Sequence, residues 1–262
     1  MTRLTYSRYA DEIVAQTGTL RAAVAGADLT RPVPSCPGWN AGQLLRHLGG
    51  GQRWAAEIVR SRATTPLPDD DFRDLSAYTA EDPAVLGPWL AGSAAQLADA
   101  LREAGPGAEL WSPVPGGSDF FARRFTHETV LHRADAALAL GAEFTVAPEV
   151  AADAVDEWLE LGAMPFHFEV HPWMRELLGP DRTLHFHATD APPEVDAEWV
   201  VDLTGDAITW RAGHEKATVA VRGPLTDLLL LIYRRRAVAE TGAEVFGDAG
   251  LLDFWLDRVA FG

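Results

Sequence analysis

Glu128 and His132 lie four residues apart in Phe125-Thr126-His127-Glu128-Thr129-Val130-Leu131-His132-Arg133-Ala134-Asp135, a segment whose pattern predicts a helix. At about 3.6 residues per turn, positions four apart stack on one face, so a carboxylate and an imidazole point the same way. His47, in a separate helical stretch, would add a second imidazole. Two nitrogens and one oxygen are a common ligand set for a catalytic zinc whose fourth position stays open. The same donors accept nickel, iron or manganese. Without a metal, His47 would be a half-buried helix residue and Glu128/His132 a surface pair.

Several other residues compete for a role. Asp135 follows His132 by three and shares nearly the same face. It suits a carboxylate that orients a metal-bound imidazole of His132 or His47, or else a partner for Arg133. His127 projects about 100° away from Glu128 and is not a first choice as a ligand. His185 and His187 alternate on a predicted strand and share a face, as a metal pair would. His167 and His171 lie four apart. Both histidine pairs are assigned to packing or solvent-facing roles. Arg211 and Arg222 lie in β-rich stretches, where a guanidinium could receive a carboxylate of a substrate or thiol cofactor, or simply serve as surface charge.

Long helices must position the central set. The first spans roughly Leu4 to Ala25, with Leu4, Ile13, Val14, Leu20 and Val24 as its apolar positions. After the loop Arg31 to Trp39, Asn40 reads as an N-cap with Gln43 as its capping-box partner. The second helix then runs from Ala41 to about Arg62, with His47 in its second turn. Thr64 to Asp74 reads as a loop. Asp82-Pro83 opens a third helix to Glu103, and a fourth runs from Ser118-Asp119 to a terminating Gly141. Helices joined by loops predict an up-and-down four-helix bundle, in which side chains on facing helices build metal sites.

The second half changes character. A helix opens at Pro148, followed by β-rich runs at 183–189, 198–203, 207–210 and 217–221, a helix from Pro224 to Tyr233 and a last one over Asp248 to Val259. The fold class is therefore α+β: a helical domain over 1–147 and a smaller α+β domain over 148–262.

Composition narrows the function classes. A net charge of −16 argues against nucleic-acid binding, which needs Lys and Arg for phosphate contacts, and against an anionic membrane surface. No apolar run is long enough to span a bilayer. Met1 to Ser7 lacks an apolar signal core, so the expected location is the cytoplasm. Cys36 is the only cysteine, so neither an intramolecular disulfide nor a cysteine-based metal cluster can form, and it reads as a small packed residue. Lys216 is the only lysine among many arginines, which suggests a GC-rich, actinobacterial source.

Three stretches together resemble the mycothiol-dependent maleylpyruvate isomerase family. They are Val33-Pro34-Ser35-Cys36-Pro37-Gly38-Trp39-Asn40 leading into Leu44-Leu45-Arg46-His47-Leu48, then Glu128 to Asp135, and finally Val221 to Leu230 with Val245-Phe246-Gly247-Asp248. The resemblance implies a DinB-like bundle followed by the family's C-terminal domain, with His47, Glu128 and His132 as zinc ligands. It also implies mycothiol as a thiol cosubstrate that acts on a small electrophile. The reaction would be maleylpyruvate-type cis–trans isomerisation or thiol S-transfer. A non-catalytic metal-binding regulator and a metal-dependent hydrolase stay open as alternatives, and the sequence sets no oligomeric state.

Overall fold

The computed structural model describes residues 3–69 and 82–259, so residues 70–74 of the loop read over 64–74 lie outside the described residues. The chain divides into two compact units, one over 4–144 and one from 145 onward. The first is helical: α1 (Tyr6–Val24), α2 (Ala41–Ser61), α3 (Pro83–Ala104) and α4 (Ser118–Leu140).

The local code is visible at the helix ends. The Asn40 side chain accepts from the Gln43 N–H while the Gln43 side chain accepts from the Asn40 N–H, which satisfies two donors that a helix start otherwise leaves unpaired. Asp82 caps α3 with Pro83 behind it, and α4 ends at Gly141 in the left-handed region at φ 68°. α1 buries Tyr9, Ala10, Ile13, Leu20 and Val24. Val14, assigned to the same apolar set, is 41% exposed because it sits about 100° round from Ile13.

α1 packs on α3 and α4, and α2 packs on the same two helices. Pairs α1/α2 and α3/α4 therefore lie across the bundle from each other, joined by the long connections 25–40 and 105–117. The close approach of α2 to α3 depends on glycine. A Cβ at Gly49 would lie 2.3 Å from the Trp89 ring, so only hydrogen fits. α4 is buried on nearly every side although it carries Thr126, His127, Thr129, His132, Arg133 and Asp135. Its threonines are satisfied within the unit: Thr126 donates to the Tyr9 carbonyl at 2.9 Å, and Thr129 donates to the Phe125 carbonyl at 2.6 Å. A central helix that is polar and buried at once must be positioning something.

The second unit contains α5 (Pro148–Gly162), the short α6 (His167–Val170), and strands β1 (Thr183–Ala188), β2 (Glu198–Asp202), β3 (Thr209–Ala212) and β4 (Val219–Gly223). α7 (Leu225–Ile232), β5 (Glu244–Gly247) and α8 (Ala249–Arg258) follow. The sheet runs β3-β2-β1-β4-β5, with β1 and β4 parallel and the other pairs antiparallel. One face is the core: Phe186 packs on Trp255 with ring centroids 5.4 Å apart, and the Trp199 indole donates to buried Asp156 of α5 at 2.6 Å. The other face carries His185, His187 and Glu198. Short β5, half of it Glu and Gly, is a strand the β-run pattern does not pick out. Among the described residues, no helix is long and apolar enough to cross a membrane.

Candidate metal centre

His47 on α2 and Glu128 and His132 on α4 line one cavity of about 190 Å³, walled by Leu48, Trp54, Phe120 and Phe125 and bordered by Gly51, Pro113 and Arg124. Nε2 of His132 is 3.2 Å from Glu128 Oε2. The His47 and His132 rings meet edge to face with centroids 5.1 Å apart. Trp39, half-buried at the end of the Pro-Gly loop, lies against His47 at 4.7 Å between centroids.

His132 has two distinct sides. Nδ1 faces Asp135 Oδ2 at 2.9 Å, and Asp135 is fully buried. That carboxylate also accepts from Ser35 at 2.6 Å, while Cys36 Sγ lies 3.6 Å from its other oxygen. The loop that supplies both residues is folded on itself by the Val33 N–H donating to the Trp39 carbonyl and the Cys36 N–H donating to the Val33 carbonyl. With Nδ1 committed to Asp135, Nε2 is the nitrogen left on the Glu128 side, and the ring's orientation is fixed from behind.

The electrostatics follow from these contacts. Burial pushes the Glu128 carboxyl up, but Arg124 at 3.3 Å and the imidazoles of His132 and His47 outweigh it and hold it well below the usual carboxylate range. Burial likewise opposes a charged His132, but Asp135, Cys36 and Glu128 overcome it and raise the ring well above the ordinary imidazole value. The anionic oxygens around His132 thus stabilise positive charge, whether a proton or a metal supplies it. Two imidazoles and a carboxylate around a half-open cavity suit a divalent cation with room for an added ligand. Cys36, His132 and Asp135 form another donor grouping, so Cys36, expected to be a small packed residue, lies among potential ligands. There Asp135 is fully buried and already accepts from Ser35.

The structure thus gathers His47, Glu128, His132 and Asp135 within one unit. Arg211 and Arg222 lie in the other, on β3 and β4, with the Arg211 guanidinium bonded to Glu215 at 2.9 and 2.5 Å. His127 turns to Tyr9, 6.2 Å between ring centroids. His167 and His171 stack at 5.9 Å. Arg124 is a cavity residue that sequence reasoning missed, although its position four before Glu128 on the same helix face was a usable signal. His185 and His187, assigned to packing or solvent-facing roles, lie beside Glu198 and His214.

The family model of the mycothiol maleylpyruvate isomerase N-terminal domain matches residues 10–137, and the same family's C-terminal domain model matches residues 149–254. Among solved structures, the chain is similar to a mycothiol-dependent maleylpyruvate isomerase and to a histidine-to-alanine mutant of that enzyme. Each alignment has a TM-score of 0.62 at 16% identity and covers 94% of this chain and 95% of the other. No curated protein sequence matches the chain significantly.

Proposed function

Because the chain belongs to the mycothiol maleylpyruvate isomerase family, we propose that His47, Glu128 and His132 hold a divalent cation, zinc in the first instance, and that the protein is an enzyme using mycothiol against a small electrophile. The observation carrying this reading is the convergence of two imidazoles and a carboxylate from two helices on one cavity, with Asp135 fixing the His132 ring from behind. A bound cation would supply a low pKa to a coordinated thiol, giving a thiolate nucleophile at neutral pH without a protein cysteine.

The residues of the chain do the rest. Leu48, Trp54, Phe120 and Phe125 keep the cavity apolar and limit water at a reactive sulfur. Arg124 lines the same cavity and is placed to receive a carboxylate of an acidic substrate. On a cis-alkene conjugated to a carbonyl, a thiolate held there would supply reversible addition: carbon–sulfur bond formation would move the π electrons onto the carbonyl, allow rotation about the new single bond, and reverse to release the trans-alkene and the thiolate with no atom gained or lost. In S-transfer, the carbon–sulfur bond would remain.

Metal analysis and a reaction screen test the reading together. The protein with zinc and mycothiol, offered maleylpyruvate and other cis-alkenes, should isomerise at least one of them or form a conjugate. Thiol binding should vanish in His47→Ala. A zinc-loaded protein indifferent to thiol would overturn the thiol chemistry in favour of hydrolysis or regulation, and failure to bind zinc would overturn the centre itself.

A further inference from the structure

The sheet unit carries a second imidazole–carboxylate cluster, away from the bundle's donor set in the sequence. His185 and His187 alternate on β1 and so share the face opposite the Phe186 core side. Antiparallel register places Glu198 of β2 directly across from His187. The chain leaving β3 returns to the same point, where the Gly213 N–H donates to the Glu198 carbonyl at 3.2 Å. That contact delivers His214. One oxygen, Oε2 of Glu198, lies 3.2 Å from His185 Nε2, 3.1 Å from His187 Nδ1 and 2.7 Å from His214 Nδ1.

Hydrogen bonds from His185 and His214 fill the two lone-pair sites of that oxygen, and the close approach of His187 is left over. The geometry instead resembles a coordination shell. Ligand atoms about 2.0–2.1 Å from a tetrahedral zinc stand roughly 3.3 Å apart. Here the four donor groups offer atoms that all lie within 4.8 Å of one another, and the His185 and His187 contacts to the oxygen, 3.2 and 3.1 Å, are near that edge length. The rings also crowd each other, with centroids 5.2–6.0 Å apart, so three protonated imidazoles would repel.

We propose that His185, His187, Glu198 and His214 form a second site for a divalent transition metal of the zinc class, closed by four protein ligands and structural in role. Such a metal would tie β1, β2 and the β3–β4 connection together at a single point. Access is not a barrier, because the His214 side chain is 75% exposed.

The test uses the full chain, stripped of metal and titrated with zinc against a chromophoric chelator. Wild type should take up two equivalents, and both His47→Ala and the double variant His187→Ala/Glu198→Gln should take up one. His214→Ala, at a position too exposed to affect folding, should weaken one equivalent at least about tenfold, since even loss of a supporting group costs that much. Zinc should raise the Tm of His47→Ala, and this gain should shrink when His214→Ala is added. A single equivalent abolished by His47→Ala would overturn this site and leave the bundle site standing. A single equivalent lost with His214→Ala would uphold it while overturning the bundle site. Titrations of the His214→Ala and double variants that match wild type would show a hydrogen-bonded cluster only and end the proposal.

Discussion

The bundle donors line a cavity, whereas the sheet donors, from buried His185 to exposed His214, converge on one carboxylate oxygen. His47, Glu128 and His132 are three groups facing about 190 Å³ of apolar-walled space. His185, His187 and His214 are three imidazoles gathered on one oxygen of the fourth donor, Glu198. Residue types are nearly the same in both. What differs is the number of donors and what lies beyond them, and under the roles proposed above that difference separates a site that admits a ligand from one that ties strands together. The supporting contacts differ as well. The bundle set is braced from behind by buried Asp135, itself held by Ser35. In the sheet, the register between two strands does the bracing.

The sharpest way to break this comparison is to remove a bundle imidazole. His132→Ala is expected to lower thiol-dependent turnover to the detection limit, while the sheet site still binds zinc. Loss of zinc from both sites in one variant would show that they are not independent. Next comes Asp135→Asn, which keeps shape but removes charge behind His132. Zinc affinity at the bundle should fall by about 10–100-fold in a chelator competition, with the sheet site unaffected.

A smaller effect is expected at Gly49. Its new Cβ would meet Trp89 at 2.3 Å. Overpacking of that kind costs about 1–3 kcal/mol, and the better helix propensity of alanine returns up to about 1 kcal/mol. Gly49→Ala should therefore lower the Tm measured by calorimetry without changing the number of zinc equivalents bound.

The smallest expected effect is a pH dependence of stability. In the metal-free protein, His132 is raised above the ordinary imidazole value. Its protonated contacts stabilise fully below about pH 6.5, and that contribution is lost as the pH climbs through the raised value. Denaturant titrations should show metal-free protein weakening over this range and His132→Gln flattening the trend. With zinc the slope should reverse, because the metal needs the neutral ring.

How much of this is legible in the sequence depends on the range of the interaction. The capping box at Asn40 and Gln43, the stop at Gly141 and the stacking of Glu128, His132 and Asp135 on one helix are local, and their period alone places them. Arg124 belongs to the same ladder and was equally readable. Ser35 and Asp135 are 100 residues apart, and no spacing rule joins a loop to a helix at that distance. The ring order of the helices is hidden for the same reason. Glu198 and His214 escape because their meeting with His185 and His187 depends on the β1–β2 register, and a shift of one residue would turn Glu198 to the other face.

Gly51 borders the bundle cavity from α2, and a methyl group there would approach Phe125 at 3.3 Å, so the ring would have to move by a few tenths of an ångström. Size at this position can therefore change in small steps without touching a polar group. Gly51 adjusts the volume offered to a substrate from α2, and no donor atom of His47, Glu128 or His132 has to change with it. The two properties are thus heritable separately: a lineage could retune which molecules enter while every donor atom stays in place.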